Sequence, residues 1–424
     1  MSSPAASTTN EPRHENIHRV SSSSLFSLVK GLITGLLQSQ LMRRAINLIN
    51  RNPRPYDIAA DQSSLLFSSL PYDVVLNCLA RVSRRYYPNL SCVSKSFQSL
   101  VRSPELAHMR SLIGKDDPVV YVCFSDTKPF LGRRLDWFTL NPNEKKTSVL
   151  NSFQVFSYYM LYCSSVSIGS KIYFVGGCMY KCLPGLLIFD SWSGELCVGP
   201  SMKEARMLPG VAVVNGKLYV MGGCREDQIQ VEVFDPNSQT WEVGPLSSDG
   251  EVRYGKGLMR YGAIVTEAVA LEGKVYCMSY KDGSHIIYDT KDGKCETFLM
   301  ADGKAWRRGG VCVVNSVIYV YYINLGVMWY DPKDKVWREV KGLNKLDYKS
   351  IDMVGMVDCN GKLGFLWGNN TREIISGRTE KRIWCEMIVL ERSGVEIHGT
   401  VEWSDLVGFV PHDYEIWRCL GVSY

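Results

Sequence analysis

The chain has 424 residues, of which 46% are hydrophobic and 21% are charged, and its formal net charge is +5. This composition is ordinary for a soluble globular protein and excludes a mostly disordered chain. It also excludes a protein with several membrane spans, because the most apolar stretch, residues 25–37, is too short for a span of about 20 residues. The length predicts two or three domains.

The positive charge is concentrated near the N-terminus. Residues 1–114 contain 13 Lys/Arg and 6 Asp/Glu, whereas the remaining 310 residues contain 35 and 37. A domain that neutralises many phosphates needs an excess of basic residues. We therefore do not expect the large C-terminal part of the chain to bind nucleic acid.

The fourteen cysteines are spread from Cys78 to Cys419 without a dense framework. No CxxC pair occurs, and the nearest spacing, between Cys178 and Cys182, has no clustered histidine beside it. Disulfide scaffolds and zinc sites both need closer, repeated spacings. The pattern predicts buried free thiols in a reducing compartment, and no metal or other cofactor is expected.

Residues 1–66 are predicted to form an extension. The first 24 residues are rich in Ser, Thr and Pro and should be disordered, and apolar residues at helical spacing then predict an amphipathic helix within residues 25–50. Three interpretations stay open for this helix. It can dock on its own protein, it can bind a partner or a membrane surface, or it can belong to an organelle transit peptide.

Residues 67–114 predict three short helices. Pro71 suits the first helical turn, Pro88 can open a second helix that continues to Val101, and Ser103 can cap the third. About 45 residues with this much apolar surface need a partner or a docked neighbour to cover it. The segment is therefore predicted to be a small helical interaction module.

The same segment resembles an F-box over essentially its whole length. The resemblance is carried by the sequences Leu70-Pro71-x-Asp73, Cys78-Leu79-Ala80-Arg81-Val82, Leu90-Ser91-x-Val93-Ser94-Lys95-x-Phe97-x-x-Leu100 and Ser103-Pro104-Glu105-Leu106. Phe97 departs from the tryptophan that many F-boxes have there. The resemblance implies docking onto a Skp-type adaptor of a cullin ubiquitin ligase. The residues that match adaptor-contacting or supporting positions are Leu70, Pro71, Leu79, Val93 and Leu100. For each of them, the alternative is that it holds the three helices together.

The rest of the chain repeats a short pattern. Two runs of β-forming residues flank a small-residue turn in five copies, at Ser170, Gly216, Gly273, Ser316 and Gly361. An aromatic–Asp pair follows in the first four copies, at Phe189-Asp190, Phe234-Asp235, Tyr288-Asp289 and Tyr330-Asp331. The fifth copy has Leu390-Glu391 instead. The turns recur at spacings of 46, 57, 43 and 45 residues, and such a period with short strands predicts a β-propeller.

These landmarks resemble kelch repeats. The predicted fold is therefore an all-β kelch β-propeller over residues 118–420, preceded by a three-helix F-box at 67–114. The extent of the repeats predicts six blades, with five as the alternative. Residues Val119–Phe124 and Asp136–Leu140 are predicted to be strands of a further blade, completed by strands near the C-terminus.

No catalytic site is predicted in the propeller. Kelch propellers of the galactose-oxidase type hold a metal through His and Tyr, but His285, His398 and His412 lack HxxH or HxxxH spacing. The sequence also contains no GxGxxG, P-loop or GxSxG motif. A binding protein is the favoured interpretation.

The loops between the second and third strands, and those between blades, gather at one mouth of a propeller. The longest predicted loop of the first kind covers residues 367–382, and an inter-blade insertion lies near 247–261. Arg and Tyr are common anchors at interfaces. The candidate target-binding residues in these segments are Arg253, Tyr254, Arg260, Tyr261, Arg372, Arg378 and Arg382. The alternative is that both segments are solvated surface.

An F-box followed by kelch repeats resembles a plant-type family of substrate receptors, over roughly residues 67–420. The resemblance implies that the F-box docks onto a Skp-type adaptor and through it a cullin. It implies that the propeller holds an unidentified target protein for ubiquitination and degradation, in the cytoplasm or nucleus. The alternative is a propeller scaffold outside the ligase, at a membrane or an organelle through its N-terminal helix.

Overall fold

The structure is a computed structural model. It describes residues 70–82, 87–91, 94–114, 118–126, 135–142, 150–153, 163–177, 185–223, 231–247, 266–279, 285–298, 306–323, 325–343, 351–369, 373–375 and 378–422. The chain forms two compact units, Met1–Lys115 and Asp116–Tyr424. The helix predicted within residues 25–50 lies outside the described residues. In the described ranges, no helix is both long and apolar enough to cross a membrane.

Four short helices form the described part of the first unit. They are α1 (Tyr72–Ala80), α2 (Tyr87–Ser91), α3 (Lys95–Val101) and α4 (Pro104–Leu112). The single helix predicted from Pro88 to Val101 is thus replaced by α2 and α3. A new helix starts because Ser94 has an extended backbone and its hydroxyl accepts the N–H of Phe97 at 3.1 Å. Ser103 caps α4 in the same way, as predicted.

The described part of the second unit consists of β-strands. They are β1 (Val119–Asp126), β2 (Leu135–Leu140), β3 (Asn151–Phe153), β4 (Cys163–Ile168), β5 (Lys171–Gly176), β6 (Leu186–Asp190), β7 (Glu195–Val198), β8 (Gly210–Val214), β9 (Lys217–Met221), β10 (Glu232–Asp235), β11 (Thr240–Val243), β12 (Thr266–Leu271), β13 (Lys274–Ser279), β14 (His285–Asp289), β15 (Cys295–Phe298), β16 (Trp306–Val314), β17 (Val317–Tyr322), β18 (Gly326–Asp331), β19 (Val336–Glu339), β20 (Ile351–Cys359), β21 (Lys362–Asn369), β22 (Glu373–Ile375), β23 (Arg378–Ser393), β24 (Glu396–Pro411) and β25 (Tyr414–Val422).

These strands form six antiparallel sheets, which are the six blades of a propeller. Blade 1 has the order β25-β1-β2-β3, blades 2 to 5 are β4–β7, β8–β11, β12–β15 and β16–β19, and blade 6 is β20-β21-β23-β24. β22 pairs with the first residues of β23. The innermost strands follow one another around a closed ring in the order β25, β4, β8, β12, β16, β20. The prediction of a six-bladed propeller is confirmed, including a first blade completed by a C-terminal strand.

The first hairpin of each repeat shows why its turn needs small residues. In blade 3, Asn215 and Gly216 have φ values of 50° and 76°. A type I′ turn requires positive φ at both central positions. In blade 2, Gly169 has a φ of 55° whereas Ser170 does not have a positive φ, which fits a type II′ turn. Both types match the right-handed twist of the strands that they connect.

The aromatic–Asp pair ends the third strand of blades 2 to 5. The Asp190 carboxylate accepts the N–H of Trp192 at 2.8 Å, and the Asp235 carboxylate accepts the N–H of Asn237 at 2.9 Å. Asp289 and Asp331 bind the N–H two residues ahead in the same way. Each is an Asx turn, which reverses the chain into the fourth strand. The repeated Asp thus specifies where the outer hairpin of a blade turns.

Apolar side chains fill the space between neighbouring blades. Between blades 2 and 3, Trp241 packs on Phe234 with ring centroids 5.0 Å apart and donates its Nε1–H to the Pro200 carbonyl at 2.8 Å. The segment between β7 and β8, which connects blade 2 to blade 3, also lies against the end of β9. A Cβ atom added to Gly223, which has a φ of 73°, would lie 2.6 Å from the Met207 carbonyl oxygen. Close backbone approach therefore requires glycine here.

A buried ion pair holds the same connection. Arg206 and Glu232 are both fully buried, and Arg206 Nη2 lies 3.0 Å from Glu232 Oε1. The Glu232 carboxylate also accepts the backbone N–H of Lys203 at 2.6 Å, and Arg206 donates to the Gly222 carbonyl at 2.7 Å. The carboxylate thereby holds both the guanidinium and the backbone of the connection.

The predicted loop at residues 367–382 is wrong in extent. β21 continues to Asn369, β22 covers Glu373–Ile375, and β23 begins at Arg378. Arg378 and Arg382 therefore belong to a strand. Lys381, inside the predicted loop, is buried, and its Nζ lies 2.8 Å from the Asp352 carboxylate.

Candidate functional site

The predicted adaptor-contacting residues occupy different depths in the first unit. Leu70 is buried, and Leu79 is fully buried among the helices. Pro71 is exposed just before α1, and Leu100 is half-buried on α3. Val93 lies outside the described residues. Their contact with an adaptor stays a prediction, and among the four described residues Pro71 is the exposed one.

Sequence reasoning missed a central residue of this unit, Arg110. Arg110 is fully buried on α4, and its Nη1 donates to the carbonyls of Ala80 and Val82, each at 2.8 Å. Its guanidinium also lies 5.7 Å from the centre of the Tyr87 ring. A cation bound to the last carbonyls of α1 complements the helix dipole. No motif marks this role, because a helical arginine is ordinarily exposed.

Most of the predicted target-binding residues lie outside the described part of the chain. These are Arg253, Tyr254, Arg260, Tyr261 and Arg372. Arg382 is exposed on β23, and for Arg378 the structure gives the backbone position in the same strand. The structure brings Arg378 and Arg382 onto one strand, and target binding by any of the seven residues stays a prediction.

The inner strands of all six blades enclose a cavity of about 440 Å³. Its walls include Ser167, Val213 and Ala270, which lie just before the turn to the second strand of their blades. Residues at the other ends of inner strands, such as Ile351 and Tyr414, do not line it. The cavity therefore occupies the half of the central channel next to these turns.

An ion pair crosses the channel at the end of this cavity that lies farther from these turns. Arg418 is on β25 and Glu267 is on β12, which face each other across the ring, and Arg418 Nη1 lies 2.8 Å from Glu267 Oε2. The other Glu267 oxygen accepts the N–H of Gly309 at 3.3 Å. The two side chains are only 11% and 8% exposed. Glu267, Arg418 and Gly309 thus lie together in the lining of the cavity, and we call these three residues its floor.

The ten described cysteines are free thiols, of which seven are buried, whereas Cys295 and Cys419 are half-buried and Cys197 is exposed. Burial raises the pKa of Cys163, Cys277 and Cys359 to about 12. A thiol with so high a pKa stays protonated and is a poor nucleophile and metal ligand. In the part of the chain that the structure describes, no group of three or more His, Cys, Asp or Glu is placed to hold a metal ion.

Comparison with protein families gives the two units separate assignments. The F-box domain family matches residues 67–109, and the FKB95, Kelch-repeats domain family matches residues 137–408. The second match covers more than half of the chain. The chain belongs to the F-box/kelch-repeat family.

Other F-box/kelch-repeat proteins resemble the chain over most of its length. F-box/kelch-repeat protein At2g44630 of Arabidopsis thaliana is 38% identical over 367 residues, which cover 84% of this chain and 93% of that protein. F-box/kelch-repeat protein At2g44700 is 38% identical, with the same coverage of both chains. F-box/kelch-repeat protein At4g39550 is 36% identical over 383 residues, with 84% and 93% coverage. Both also come from Arabidopsis thaliana.

The structure adds to the family assignment at both ends of the kelch-repeat region. The family match begins at residue 137, inside β2, and ends at 408, inside β24. The strands that close the ring, β1 and β25, lie outside it. These two strands pair along Val119–Asp126 and Tyr414–Val422. The structure therefore shows two strands that the family match does not reach. They are the strands that pair to close the ring, and β25 also carries Arg418 of the ion pair in the channel.

Proposed function

We propose that this F-box/kelch-repeat protein is the substrate-recognition subunit of a Skp–cullin–F-box ubiquitin ligase. The F-box docks onto a Skp-type adaptor and through it a cullin, and the propeller binds a target protein that is ubiquitinated and degraded. The observation that carries the proposal is an F-box at residues 67–109 joined in one chain to a kelch propeller. The chain contributes proximity, because it raises the effective concentration of the target near the ubiquitin carrier, and it does no chemistry itself.

The surface of the F-box unit supports docking. Tyr72 at the start of α1 is 52% exposed and Leu112 at the end of α4 is 67% exposed. Pro71 beside Tyr72 is also exposed. Large apolar side chains that are open to solvent mark surfaces that bind partners. Because Leu79 is fully buried, its substitution would test folding and not docking.

Pro71→Glu in the full-length protein tests adaptor binding. Pro71 is exposed just before α1 and makes no side-chain hydrogen bond that caps the helix. Glutamate at this position therefore adds a surface charge and removes no buried side chain. We expect at least about tenfold weaker binding to a purified Skp-type adaptor, about 1.4 kcal/mol, measured by surface plasmon resonance. His108→Glu, an exposed position on α4, is the matched control. Failure of the wild-type protein to bind any Skp-type adaptor would overturn the proposal.

The same variant tests the fate of the target. Proximity labelling in cells with full-length Pro71→Glu should retain target proteins that the wild-type protein removes, because only the adaptor contact is lost. Adding Arg382→Glu should reduce this labelling if Arg382 is a target anchor. Equal abundance of every labelled protein with the wild type and with Pro71→Glu would contradict a role in degradation.

We also propose that the protein acts in the cytoplasm or nucleus. Free thiols at all ten described cysteines support a reducing compartment. A fluorescent fusion of the full chain should keep its distribution when Leu28 and Leu32 are replaced by Asp, because location would not depend on an apolar N-terminal helix. A change from an organelle or membrane pattern to a diffuse one would favour the alternative of an N-terminal anchor or transit segment.

A further inference from the structure

We propose that the cavity in the propeller channel binds a small uncharged molecule, which presents a hydrogen-bond acceptor to Arg418. The cavity has the Glu267–Arg418 pair at its floor and is lined by residues from all six blades. Its volume of about 440 Å³ falls within the range of about 300–1,000 Å³ that small-molecule pockets occupy. The proposal concerns the propeller alone and does not depend on adaptor binding.

The first argument comes from the hydrogen bonds of Arg418. Its Nη1 donates to Glu267 at 2.8 Å, whereas its Nε is buried and has no hydrogen-bond partner in the structure. A guanidinium has five N–H donors in a planar fork. Nε has no surface that a molecule in the cavity could reach, but 11% of the Arg418 side chain is exposed. A ligand acceptor at the floor of the cavity would bind an N–H on this exposed part of the fork.

The second argument comes from charge. Glu267 neutralises Arg418, and Asp358 is also among the residues that line the cavity. Asp358 Oδ1 accepts the N–H of Gly361 at 2.8 Å, and burial raises the pKa of Asp358. A ligand carboxylate would therefore share the cavity with two acidic side chains, and a ligand ammonium would compete with Arg418 for Glu267. An uncharged carbonyl or amide group meets neither penalty.

The third argument comes from the walls. Val166, Val211, Val269 and Val311 are among the residues that line the cavity, but polar atoms contribute more of its exposed surface than apolar atoms do. Small-molecule sites combine apolar contacts with a few polar groups that fix the orientation of the ligand. The hydroxyl of Ser167, also in the wall, donates to the Gly421 carbonyl at 2.6 Å. The ligand therefore combines a short apolar body with one acceptor that reaches the floor.

Three probes of nearly the same shape test this chemistry on the full-length protein. They are isobutyramide, isobutyrate and isobutylammonium, and their binding is measured by ligand-observed NMR titration at neutral pH. We expect saturable binding of isobutyramide and at least about tenfold weaker binding of the two ions, about 1.4 kcal/mol. Tighter binding of isobutyrate, or no saturable binding of isobutyramide, would overturn the proposal.

Substitutions test whether isobutyramide binds in this cavity. Arg418→Lys retains a cation for Glu267 but removes the guanidinium fork, so isobutyramide binding should fall by at least about tenfold. Arg338→Lys, on the exposed Asp334 pair of blade 5, should leave it unchanged. Val213→Phe narrows the cavity independently of Arg418 and should also weaken binding, which provides a test if Arg418→Lys fails to fold. Unchanged binding in every folded cavity variant would contradict the proposal.

Discussion

Blade 3 and blade 6 reach the same four-stranded architecture by different means. Blade 3 follows the repeat, because its turn at Asn215–Gly216 and its Asx turn at Asp235 each match a sequence landmark. Blade 6 keeps the first of these, with positive φ at Asn360 and Gly361. Its counterpart of the aromatic–Asp pair, Leu390–Glu391, lies inside β23.

Without that Asx turn, the outer hairpin of blade 6 continues much further. β23 and β24 have 16 residues each, whereas the third and fourth strands of blade 3 have 4 each. The hairpin is supported by side chains instead. Trp367 stacks on Trp384 with ring centroids 6.0 Å apart, and Lys381 is paired with Asp352. The repeated landmarks therefore specify strand ends, and side-chain burial stabilises the blade that lacks one.

The largest effect on the free energy of unfolding is expected at the buried Arg206–Glu232 pair beside blade 3. Arg206→Met leaves the Glu232 carboxylate buried without its cation and should lower the free energy of unfolding by about 3–5 kcal/mol. Urea unfolding followed by tryptophan fluorescence measures this loss in the propeller alone, because all ten tryptophans lie between residues 137 and 417.

Lys362→Met in blade 6 is the matched control, because its pair with Glu402 is 42% and 31% exposed. Its effect should be at most about 1 kcal/mol. The double substitution Arg206→Met and Glu232→Met should recover only part of the loss, because the Lys203 N–H then lacks its carboxylate acceptor. Equal effects of Arg206→Met and Lys362→Met would show that the buried pair does not hold blade 3.

The next largest effect is expected at a glycine of blade 3. Gly223→Ala should lower the free energy of unfolding by about 1–3 kcal/mol, because the new Cβ combines a positive φ with a clash against the Met207 carbonyl. Gly368→Ala in blade 6 should cost less, because its nearest neighbour is the flexible Met353 side chain at 3.0 Å. The same unfolding measurement compares them, and a larger loss at Gly368 would reverse the predicted order.

A smaller effect, dependent on pH, is expected in blade 6. Burial raises the pKa of Glu386, whose Oε1 accepts hydrogen bonds from Trp367 and Ser404. This contribution to stability is present below the unfolded pKa of about 4.3 and is lost as the pH rises through the folded value. Glu386→Gln should therefore be more stable than the wild type at neutral pH. The gain should vanish below about pH 4, and a gain that persists there would exclude a charge effect.

The smallest effect on stability is expected at Asp235 in blade 3, and its pH dependence runs in the opposite direction to that at Glu386. The Asn237 N–H and the Lys217 ammonium lower the pKa of Asp235. This contribution to stability is present above the unfolded pKa of about 3.9 and is lost as the pH falls through the folded value. Asp235→Asn keeps an acceptor for the turn but should lose this acid-dependent component. Identical pH profiles for the variant and the wild type would contradict it.

The sequence was sufficient where a local turn determines the structure. Gly216 and Asp235 could be recognised because each acts within four residues of itself. The number of blades followed from their spacing. The same reasoning gave the wrong extent for the segment around Lys381, because this lysine is held in the sheet by Asp352, which lies 29 residues earlier in the chain.

The channel floor could not be predicted from the sequence. Glu267 and Arg418 are 151 residues apart and belong to different blades, so their pairing depends on closure of the whole ring. Arg110 is similar on a smaller scale, because it binds carbonyls 28 and 30 residues earlier. No spacing pattern marks any of these residues. The predicted binding residues were chosen from loops, whereas the cavity is lined by inner strands.

The position of β25 has a consequence for biosynthesis. The ribosome makes β1 about 290 residues before the strand that pairs with its inner edge, so β1 waits with that edge uncovered while five further blades emerge. Unpaired strand edges invite aggregation. The α-helices of the first unit need no such late partner, because their contacts are local in sequence. We therefore expect the propeller to be more prone to aggregation during synthesis than the helical unit.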